Sequence, residues 1–432
     1  MMVTDFIRQR ISKHFTGQTG AVFSNKVPSP EVLEEKFRDI HEAGLYLHIP
    51  FCERICPYCP YNKELFTPES CQNYKDALIR EIDSYIPLLG NKPVTSFYIG
   101  GGTPTTMIGR GLEEIIDHIY RHFNMKCKIH LESHPNHLTR ENLDAIEAMG
   151  VRYLSVGVES LQDRHLRAIE RPYTVAEVKR SVGRALERNF ECVNIDFMFD
   201  LPGQTAAEIE EAAGEMVNLG IQQAATYPLF RFHYTRMGRN GHISPVTMAA
   251  LFRRRKLLKI LEDAFYSSGF ERTSVWAFTK KDVAKYCSVT VPLYIGLGAS
   301  GSSYLNDIFY VNTFSVSEYV KSINAGKSPV TLSVDLSDEM QMAGWFYWRL
   351  YETRFRKSDF ELRFGSNFDE KYGRYIKMLS RVGYVENGND QVRLTDKGAY
   401  WIHAFEDFFS ISYINKLWGT AKYDPWPERV VL

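Results

Sequence analysis

Three cysteines lie within eight residues, Cys52, Cys56 and Cys59, in the spacing CxxxCxxC. This spacing gathers three soft thiolates in one loop at little entropic cost, and such ligands hold a metal ion or an iron–sulfur cluster. Three prolines in the same stretch argue against a continuous helix, so we expect a shaped loop after a short strand. Three thiolates leave one iron of a cubane [4Fe–4S] cluster without a protein ligand. An open position of this kind is typical of a catalytic site.

Two other interpretations of the cysteines stay open. A disulfide fits poorly, because an odd cluster leaves one thiol over. A structural zinc site needs a fourth ligand, and His48 is the nearest imidazole. His48 falls in an alternating, strand-like run at residues 45–49, where a histidine is more often packed than ligating.

Composition limits the class of protein. The chain has 432 residues, enough for two or three domains, and its 52 Lys+Arg residues balance 52 Asp+Glu residues. Because these charges balance, the chain has no net positive charge that would attract nucleic acid or an anionic membrane. No apolar run is long enough to span a bilayer. The N-terminus lacks the apolar centre of a signal peptide. Seven cysteines, an odd number, do not form a disulfide framework, so we expect a reducing cytoplasm.

The chain alternates strand and helix patterns from about residue 45 to residue 300. The predicted strands are 45–49, 96–99, 128–132, 153–158, 193–199 and 223–229. The predicted helices between them are 73–88, 111–123, 140–149, 163–168, 175–189 and 206–219. The alternation predicts an α/β fold with a parallel sheet, and about six units favour a partial (β/α)6 barrel over an open doubly wound sheet. The chemically suggestive motifs follow strands, which in such a barrel is the edge that carries the active site.

Three regions are expected along the chain. Residues 1–44 form an N-terminal extension, residues 45–305 the partial barrel, and residues 306–432 a C-terminal domain. In the last region, helices at 336–351 and 368–382 precede a short hairpin and a helix from Lys397, a winged-helix-like order. Such modules often bind DNA, but the neutral charge favours a packing or substrate-covering role.

Glycine-rich and acidic motifs end several predicted strands. Gly100 to Pro104 reads GGGTP, which lets backbone amides approach a ligand closely. The acidic candidates are Glu132, Glu159 and Asp196, and an inward carboxylate among apolar strand residues needs a partner. Arg171 offers a rigid bidentate fork for a ligand carboxylate. A further glycine-rich turn, GLGAS, surrounds Ala299.

Together these blocks resemble a known family. LYLHIPFCERICPYC, GGGTP, LESHP, SVGVES, NIDFMFDLPGQT and GLGAS, in this order, are similar to the radical S-adenosylmethionine (SAM) enzymes of the oxygen-independent coproporphyrinogen III oxidase (HemN-like) group. The resemblance runs from about Tyr46 to Ser300. It implies a radical SAM barrel, a [4Fe–4S] cluster on the three cysteines and SAM bound at the open iron. It also implies reductive cleavage of SAM to a 5′-deoxyadenosyl radical.

The resemblance also implies SAM contacts for other residues. The residues beside the cluster and the adenine would be Tyr46 and Tyr58. The contacts of the SAM amino group would be Gly101, Gly102 and Thr103. The ribose and carboxylate contacts would be Glu132, Glu159, Arg171 and Asp196. Ala299 would border a second SAM.

One departure from the family bears on the reaction. The decarboxylating oxidases carry a further cysteine two residues after the motif, and here that residue is Tyr61. The departure favours another reaction, and we expect C-methylation or cyclopropanation of an unsaturated natural-product-type substrate with a second SAM, hence a transferase. The alternatives are a tetrapyrrole-acting enzyme, which oxidises porphyrinogen or degrades haem anaerobically, and a haem chaperone. The expected partners are a small-molecule substrate and an electron donor such as flavodoxin or ferredoxin, with no nucleic acid or membrane.

A zinc-bound structural or nucleic-acid module remains a third class of hypothesis. Four residues are candidates for lining a pocket, although structural roles are favoured for each: His233, His242, Trp276 and Cys287.

Overall fold

The computed structural model describes residues 2–240, 247–286 and 293–432, with side chains from residue 8 onward. The pocket candidates His242 and Cys287 lie outside the described residues. The remaining chain forms a mixed α/β structure with a parallel-strand core, which confirms the expected fold class.

Six consecutive parallel strands form that core, in the order β2, β5, β7, β8, β9, β10. Each lies beside the preceding strand of the series, as right-handed β/α units require. Every predicted strand is present, and most extend beyond the expected bounds. The strands of this part of the chain are β2 Ala43–Ile49, β3 Phe51–Cys52, β4 Glu64–Leu65, β5 Pro93–Gly101, β6 Asn124–Met125, β7 Ile129–Ser133, β8 Val151–Glu159, β9 Cys192–Phe199 and β10 Gln223–Pro228.

Helices cover the outer face of this sheet. Their starts are set by side-chain caps: Thr174 and Thr205 each form a reciprocal capping box with the glutamate three residues later. Thr67 caps the first long helix, which therefore begins five residues before the predicted start at residue 73. The helices are α3 Pro68–Leu89, α4 Leu112–His122, α5 Arg140–Ala148, α6 Asp163–Ala168, α7 Val175–Leu186, α8 Ala206–Leu219, α9 Arg236–Asn240 and α10 Met248–Ser267.

Antiparallel strands extend the sheet on both sides. Beyond β10 lie β12 Ala277–Lys280 and β11 Phe270–Arg272. Beyond β2 the order continues through a parallel strand, three antiparallel strands and both chain termini. These strands are β13 Tyr294–Leu297, β14 Ser302–Leu305, β15 Ile308–Asn312, β16 Val330–Asp335, β1 Val22–Ser24 and β20 Arg429–Val431. Residue 305, where the barrel was expected to end, is the last residue of β14, and the sheet continues through the following hairpin. The three-region division stays a prediction.

The C-terminal region is helical with a small antiparallel sheet, in the winged-helix-like order that was expected. Its strands pair in the order β17, β19, β18, and its apolar core is separate from that of the barrel. Its elements are α12 Asp338–Tyr351, β17 Arg354–Arg356, α13 Lys357–Phe364, α14 Phe368–Arg381, β18 Val385–Asn387, β19 Gln391–Leu394 and α15 Asp396–Tyr413. A π-helical turn, Ile414–Trp418, joins α15 to α16 Gly419–Tyr423. The other helices are α1 Met2–Thr16, α2 Pro30–Arg38 and α11 Val316–Asn324.

Among the described residues, no helix is long and apolar enough to cross a bilayer.

A buried carboxylate joins α3 to the end of the sheet. Glu81 accepts hydrogen bonds from the Gly298 amide at 2.6 Å, from Asn312 Nδ2 at 2.6 Å and from the Tyr319 hydroxyl at 2.6 Å. Burial raises the pKa of Glu81 to about 7, because desolvation outweighs these hydrogen bonds. The proton is therefore held more tightly in the folded than in the unfolded chain.

The Glu81 contacts give a stability prediction. Glu81→Ala should lower the free energy of unfolding by about 3 kcal/mol, because three buried donors lose their acceptor. Glu81→Gln tests the charge. The pKa of Glu81 is higher in the folded chain than in the unfolded chain. The free energy of unfolding of the wild type should therefore fall, relative to that of Glu81→Gln, as pH rises from 4.5 through about 7. Urea unfolding at several pH values measures both effects, with exposed Glu210→Ala as the control. A Glu81→Ala loss no larger than that of Glu210→Ala would contradict the assigned role.

Candidate functional site

The cysteine loop is clamped at both ends. Strand β3, which ends at Cys52, pairs in parallel with β4 at Glu64 and Leu65. The Phe66 amide also donates to the Cys52 carbonyl at 2.9 Å. The loop of eleven residues between these strands therefore leaves and re-enters the fold at adjacent points, which orders a segment that has little regular structure of its own.

His48 connects the cysteine loop to the barrel by hydrogen bonds and does not act as a metal ligand in this structure. Its Nδ1 lies 2.8 Å from the Tyr46 hydroxyl and its Nε2 lies 3.0 Å from the Asn62 carbonyl. Because a carbonyl only accepts, Nε2 donates to Asn62 and Nδ1 accepts from Tyr46. Burial lowers the pKa of His48 to about 4, so the ring is neutral. Both nitrogens are occupied, which removes the nearest fourth ligand from the zinc hypothesis.

Two glycines of GGGTP are required by close backbone approach. Gly101 has a φ of 120°, and a side-chain Cβ there would stand 2.6 Å from the His48 ring. A Cβ at Gly102 would stand 2.7 Å from the Phe51 carbonyl oxygen, while the Gly102 amide donates to Ile49 at 2.7 Å. No other residue fits either position. Thr103 Oγ1 lies 3.6 Å from Cys52 Sγ. The turn and the first cysteine are thus held together.

A row of polar side chains faces the barrel interior on neighbouring strands. Strand register places Ser155 beside Asn194 and Gly157 beside Asp196. Asp196 accepts from Ser155 Oγ at 3.1 Å and from Asn194 Nδ2 at 3.0 Å. The Asn194 Oδ1 atom is buried without a hydrogen-bond partner. This buried oxygen could accept a hydrogen bond from a donor group of a bound ligand.

The two glutamates are also held by hydrogen bonds. Glu132 accepts from the Gly101 amide at 3.0 Å and from the Tyr98 hydroxyl. Glu159 has a φ of 67° and accepts from the Tyr227 hydroxyl at 3.0 Å. A left-handed backbone at a non-glycine residue costs free energy and is concentrated at functional sites.

Arg171 is the buried cation among these groups. Its Nη1 donates to Cys56 Sγ at 3.1 Å, its Nε to the Tyr173 hydroxyl at 2.5 Å and its Nη2 to the Gly157 carbonyl. Nη2 also lies 3.8 Å from a Glu159 oxygen. The guanidinium therefore connects the cysteine loop to β8.

Three acidic side chains and one buried guanidinium stand in this part of the site. Burial raises the pKa of Asp196 to about 8, and repulsion by Glu159 and Glu132 adds to the shift. Burial likewise raises the pKa of both glutamates. The raised pKa values favour the neutral carboxyl forms when no ligand is bound, and a cationic ligand would favour the ionised forms. SAM carries a sulfonium and an ammonium group, and its ribose and adenine bring donors, so these residues fit SAM.

The three thiols have the ligand chemistry of an iron–sulfur cluster. Burial raises the pKa of the Cys52 thiol to about 12 and also raises that of Cys59, so binding of the cluster must displace protons. Within the described ranges, no three His, Cys, Asp or Glu side chains are gathered as ligands of one metal ion.

All three cysteines line one cavity of about 530 Å³. Eleven of the thirteen predicted site residues line it: Cys52, Cys56, Cys59, Tyr58, Gly101, Gly102, Thr103, Glu132, Glu159, Arg171 and Asp196. The remaining two do not. The Tyr46 hydroxyl donates a hydrogen bond to His48 Nδ1, and the Tyr46 ring stacks on Tyr98. Ala299 is fully buried in the core, and its amide donates to the Tyr74 hydroxyl at 3.0 Å.

Aromatic side chains also line this cavity. We call this part the aromatic chamber; it is formed by Phe230, Phe232, Trp276, Tyr347, Trp348, Tyr351 and Trp418. Helices α12 and α15 and the π-helical turn supply its roof. Trp276 is therefore a lining residue, whereas the other described candidate, His233, is exposed and does not line the cavity.

A buried ion-pair triad stands in the same roof. His403 Nδ1 lies 3.2 Å from Glu406 Oε2, and its Nε2 lies 3.2 Å from Asp407 Oδ1. Carboxylates on both ring nitrogens hold a second proton on the imidazole, and they raise the pKa of His403 although burial opposes them. His403 and Asp407 line the cavity.

The roof of the chamber was not predicted from the sequence. A signal was present in the aromatic run Trp345 to Trp348, followed by Tyr351 three residues later. Only the fold shows that this run covers the strand ends. Ser155, Asn194, Tyr98 and Tyr227 were also missed as partners of the acidic side chains, because register determines their positions.

Known proteins are similar to this chain over most of its length. Residues 46–216 match the profile of the Radical SAM superfamily. The heme chaperone HemW of Bacillus subtilis (strain 168) is 28% identical over 365 residues, covering 82% of this chain and 95% of the relative. The anaerobilin synthase of Escherichia coli O157:H7 is 25% identical over 405 residues, covering 90% and 86%. The structure of coproporphyrinogen III oxidase (HemN) from Escherichia coli has a TM-score of 0.76 at 20% identity and covers 90% and 94%, which shows a shared fold.

These relatives correct the expected reaction. The expectation of C-methylation or cyclopropanation of a natural product, and with it the methyltransferase preference, is wrong, because the matched relatives are a haem chaperone and an anaerobilin synthase. The expectation rested on Tyr61 in place of a cysteine, and that position does not by itself indicate methyl transfer. Ala299 is fully buried and does not line the cavity, and its place beside a second SAM stays a prediction.

The family carries a [4Fe–4S] cluster and SAM, and the thiols and carboxyl groups described above fit both. Residues 46–216 thus form a radical SAM domain, and the chain as a whole resembles the HemN-like group of radical SAM proteins.

Proposed function

We propose that this protein is a radical SAM enzyme that binds a haem-type tetrapyrrole in the aromatic chamber and acts on it with SAM. The observation that carries the proposal is a single cavity that is lined both by the three cysteines and by the residues of the aromatic chamber. A flat, conjugated macrocycle suits aromatic walls, which stack on its faces. Support also comes from the relatives, whose names refer to haem and to anaerobilin.

The three cysteines would hold the cluster, and the buried polar row would hold SAM. When bound, the cluster supplies the electron for reductive cleavage of SAM. Glu132 and Asp196 are positioned by their neighbours before the ligand arrives, so little side-chain ordering is needed on binding. Arg171 would meet the SAM carboxylate, and Asn194 Oδ1 would accept from a ligand donor.

The chain's other contribution is to exclude water. Helices α12 and α15 close the chamber above the strand ends, and the lining is mostly apolar around a few polar groups. His403 and Asp407 place a charged pair in that roof, where they can meet the polar atoms of the macrocycle. Exclusion of water protects reactive intermediates from side reactions.

The oxygen sensitivity of the cluster and the free thiols suit a reducing compartment, so we expect the protein to work in the cytoplasm. We expect a small-molecule substrate and a protein electron donor, and no nucleic acid substrate.

A second candidate is haem transfer without turnover of SAM. It is favoured by the match to a heme chaperone along 95% of that relative's length. The two candidates differ in one measurable respect: an enzyme consumes SAM in proportion to product, whereas a carrier binds haem stoichiometrically and leaves SAM intact.

The cysteine assignment predicts a loss of both cluster and chemistry. Cys56→Ala should lose most of the bound iron and sulfide and at least a hundredfold of 5′-deoxyadenosine formation, because an open cluster has no spare ligand. The assay uses anaerobically reconstituted protein, dithionite and SAM, with mass spectrometry of the products. Cys127→Ala, a half-buried thiol away from the site, is the matched control. Equal iron content and product in the two variants would overturn the assignment.

The chamber predicts a specific role for Trp348. Trp348 and Trp426 are each 40% exposed, but only Trp348 lines the cavity. Trp348→Ala should weaken haem binding about fivefold, since loss of one aromatic stacking partner is worth on the order of 1 kcal/mol. Absorbance titration with haem measures the dissociation constant. Trp426→Ala should leave that constant unchanged, and equal weakening by the two variants would place the tetrapyrrole elsewhere.

The charge of the SAM site predicts opposite effects on stability and binding. Asp196→Asn should raise the Tm of the ligand-free protein by about 2 °C or more, because it removes an acidic group that is costly to bury and its amide can donate to Asn194 Oδ1. The same change should weaken SAM binding at least tenfold. Thermal unfolding and calorimetric titration with SAM test the pair of effects. A variant that is less stable and binds SAM normally would contradict the account.

A further inference from the structure

Two other segments of the chain pack against the cysteine loop. The Met237 amide donates to the Pro57 carbonyl at 2.8 Å, and the Tyr234 hydroxyl donates to the Pro60 carbonyl at 2.9 Å. The Tyr423 hydroxyl in turn lies 3.5 Å from the Tyr234 carbonyl. Residues 57–63, 230–240 and 413–423 therefore form one continuous surface beside the cysteines.

These three segments are strongly basic. They contain six lysine or arginine residues and no aspartate or glutamate, although the whole chain has 52 of each kind of charge. One of the six, Arg236, is neutralised by Glu170. The excess of positive charge is thus local and stands out against a neutral protein.

Three of the cations lie close to each other and to the loop. Lys63 donates to the Cys59 and Tyr61 carbonyls. Lys422 Nζ lies 5.5 Å from the centre of the Tyr234 ring. The pKa of Lys422 is lowered, first by desolvation and then by the positive charges of Lys63 and Arg239. The like charges therefore act on one another.

Exposed aromatic rings adjoin these cations. Tyr61 is 54% exposed and Tyr423 is 60% exposed. Tyr61 also lies against Trp418, with ring centres 6.1 Å apart. Aromatic and cationic side chains together are typical of protein interfaces. We call Tyr61, Lys63, Arg239, Lys422 and Tyr423 the basic face.

We infer that the basic face docks a small acidic electron-donor protein, one that carries a one-electron flavin or iron–sulfur centre. The inference rests on the proposed function, since a site that cleaves SAM reductively needs electrons. SAM and substrate would occupy the cavity, which Tyr61 and Lys63 also line, so a protein donor has to approach from the side on which Arg239, Lys422 and Tyr423 are exposed. One electron would leave the donor, which is oxidised, and the cluster that Cys52, Cys56 and Cys59 would hold is reduced by one electron. Charge complementarity then steers the encounter.

The test compares Arg239→Glu/Lys422→Glu with Lys327→Glu/Lys321→Glu, an equal charge reversal on exposed lysines elsewhere. The first readout is binding: oxidised flavodoxin is titrated at low and at moderate salt, and its flavin fluorescence or absorbance gives the dissociation constant. We expect at least tenfold weaker binding for the basic-face variant and a smaller dependence on salt. The control should bind within about twofold of the wild type, because its charges lie elsewhere.

The second readout separates this inference from the proposed function. SAM cleavage is measured with reduced flavodoxin and, in parallel, with dithionite, which needs no docking surface. The basic-face variant should lose the flavodoxin-driven rate and keep the dithionite-driven rate. Failure of dithionite to drive cleavage in the wild type would count against the proposed function, while the binding titration would still decide the docking surface.

Three results would overturn the inference. Unchanged flavodoxin binding in the basic-face variant is the first, and equal weakening in the control pair is the second. Tighter binding of a short single-stranded oligonucleotide than of flavodoxin, lost in the same variant, is the third. Should the charge reversal impair folding, Arg239→Gln/Lys422→Gln applies the same test, with an expected weakening of about threefold.

Discussion

The site depends on the register of parallel strands. Because neighbouring parallel strands end at one edge, side chains distant in sequence, such as Glu132, Glu159 and Asp196, line the same cavity. Register also decides which groups meet. Gly157 lies beside Asp196, and the Gly157 carbonyl accepts a hydrogen bond from Arg171. Arg171 then reaches Cys56 and joins the loop to the sheet. A shift of one residue in the register of β8 or β9 would turn these side chains toward the helices, and the site would be lost.

The same arrangement places a cost on the fold. Three buried carboxyl groups with raised pKa values and an unpartnered Asn194 oxygen disfavour the ligand-free state. Well-packed helices with strong caps, and a core that continues through β13 to β16, offset that cost. Such a site is costly to fold when it is empty and is complementary to a cationic ligand. Binding of that ligand would therefore raise the stability of the folded protein. Function and stability oppose each other at these positions.

Much of the fold could be predicted from the alternation of strand and helix patterns. The helix at 206–219 was predicted with its observed bounds, and the structure shows that Thr205 and Glu208 cap its start. The six parallel strands were predicted from strand-like runs. Most of the site also followed from motifs, because strand ends and glycine turns bring them together. Ala299 and Tyr46 did not follow, since hydrogen bonds to Tyr74 and His48 hold them outside the cavity. The roof could not be predicted, because helix packing across the cavity depends on tertiary contacts. The reaction could not be predicted from Tyr61, since one missing cysteine does not name a reaction.

The central claim is that a tetrapyrrole occupies the aromatic chamber and is acted on with SAM. The most direct measurement is the yield of 5′-deoxyadenosine under anaerobic conditions as haem is added to the reconstituted protein with dithionite and SAM. The account predicts that the yield rises with haem until the chamber is saturated, with one 5′-deoxyadenosine for each tetrapyrrole altered, detected by mass spectrometry. A yield that is independent of haem, with haem recovered unchanged, would contradict the account.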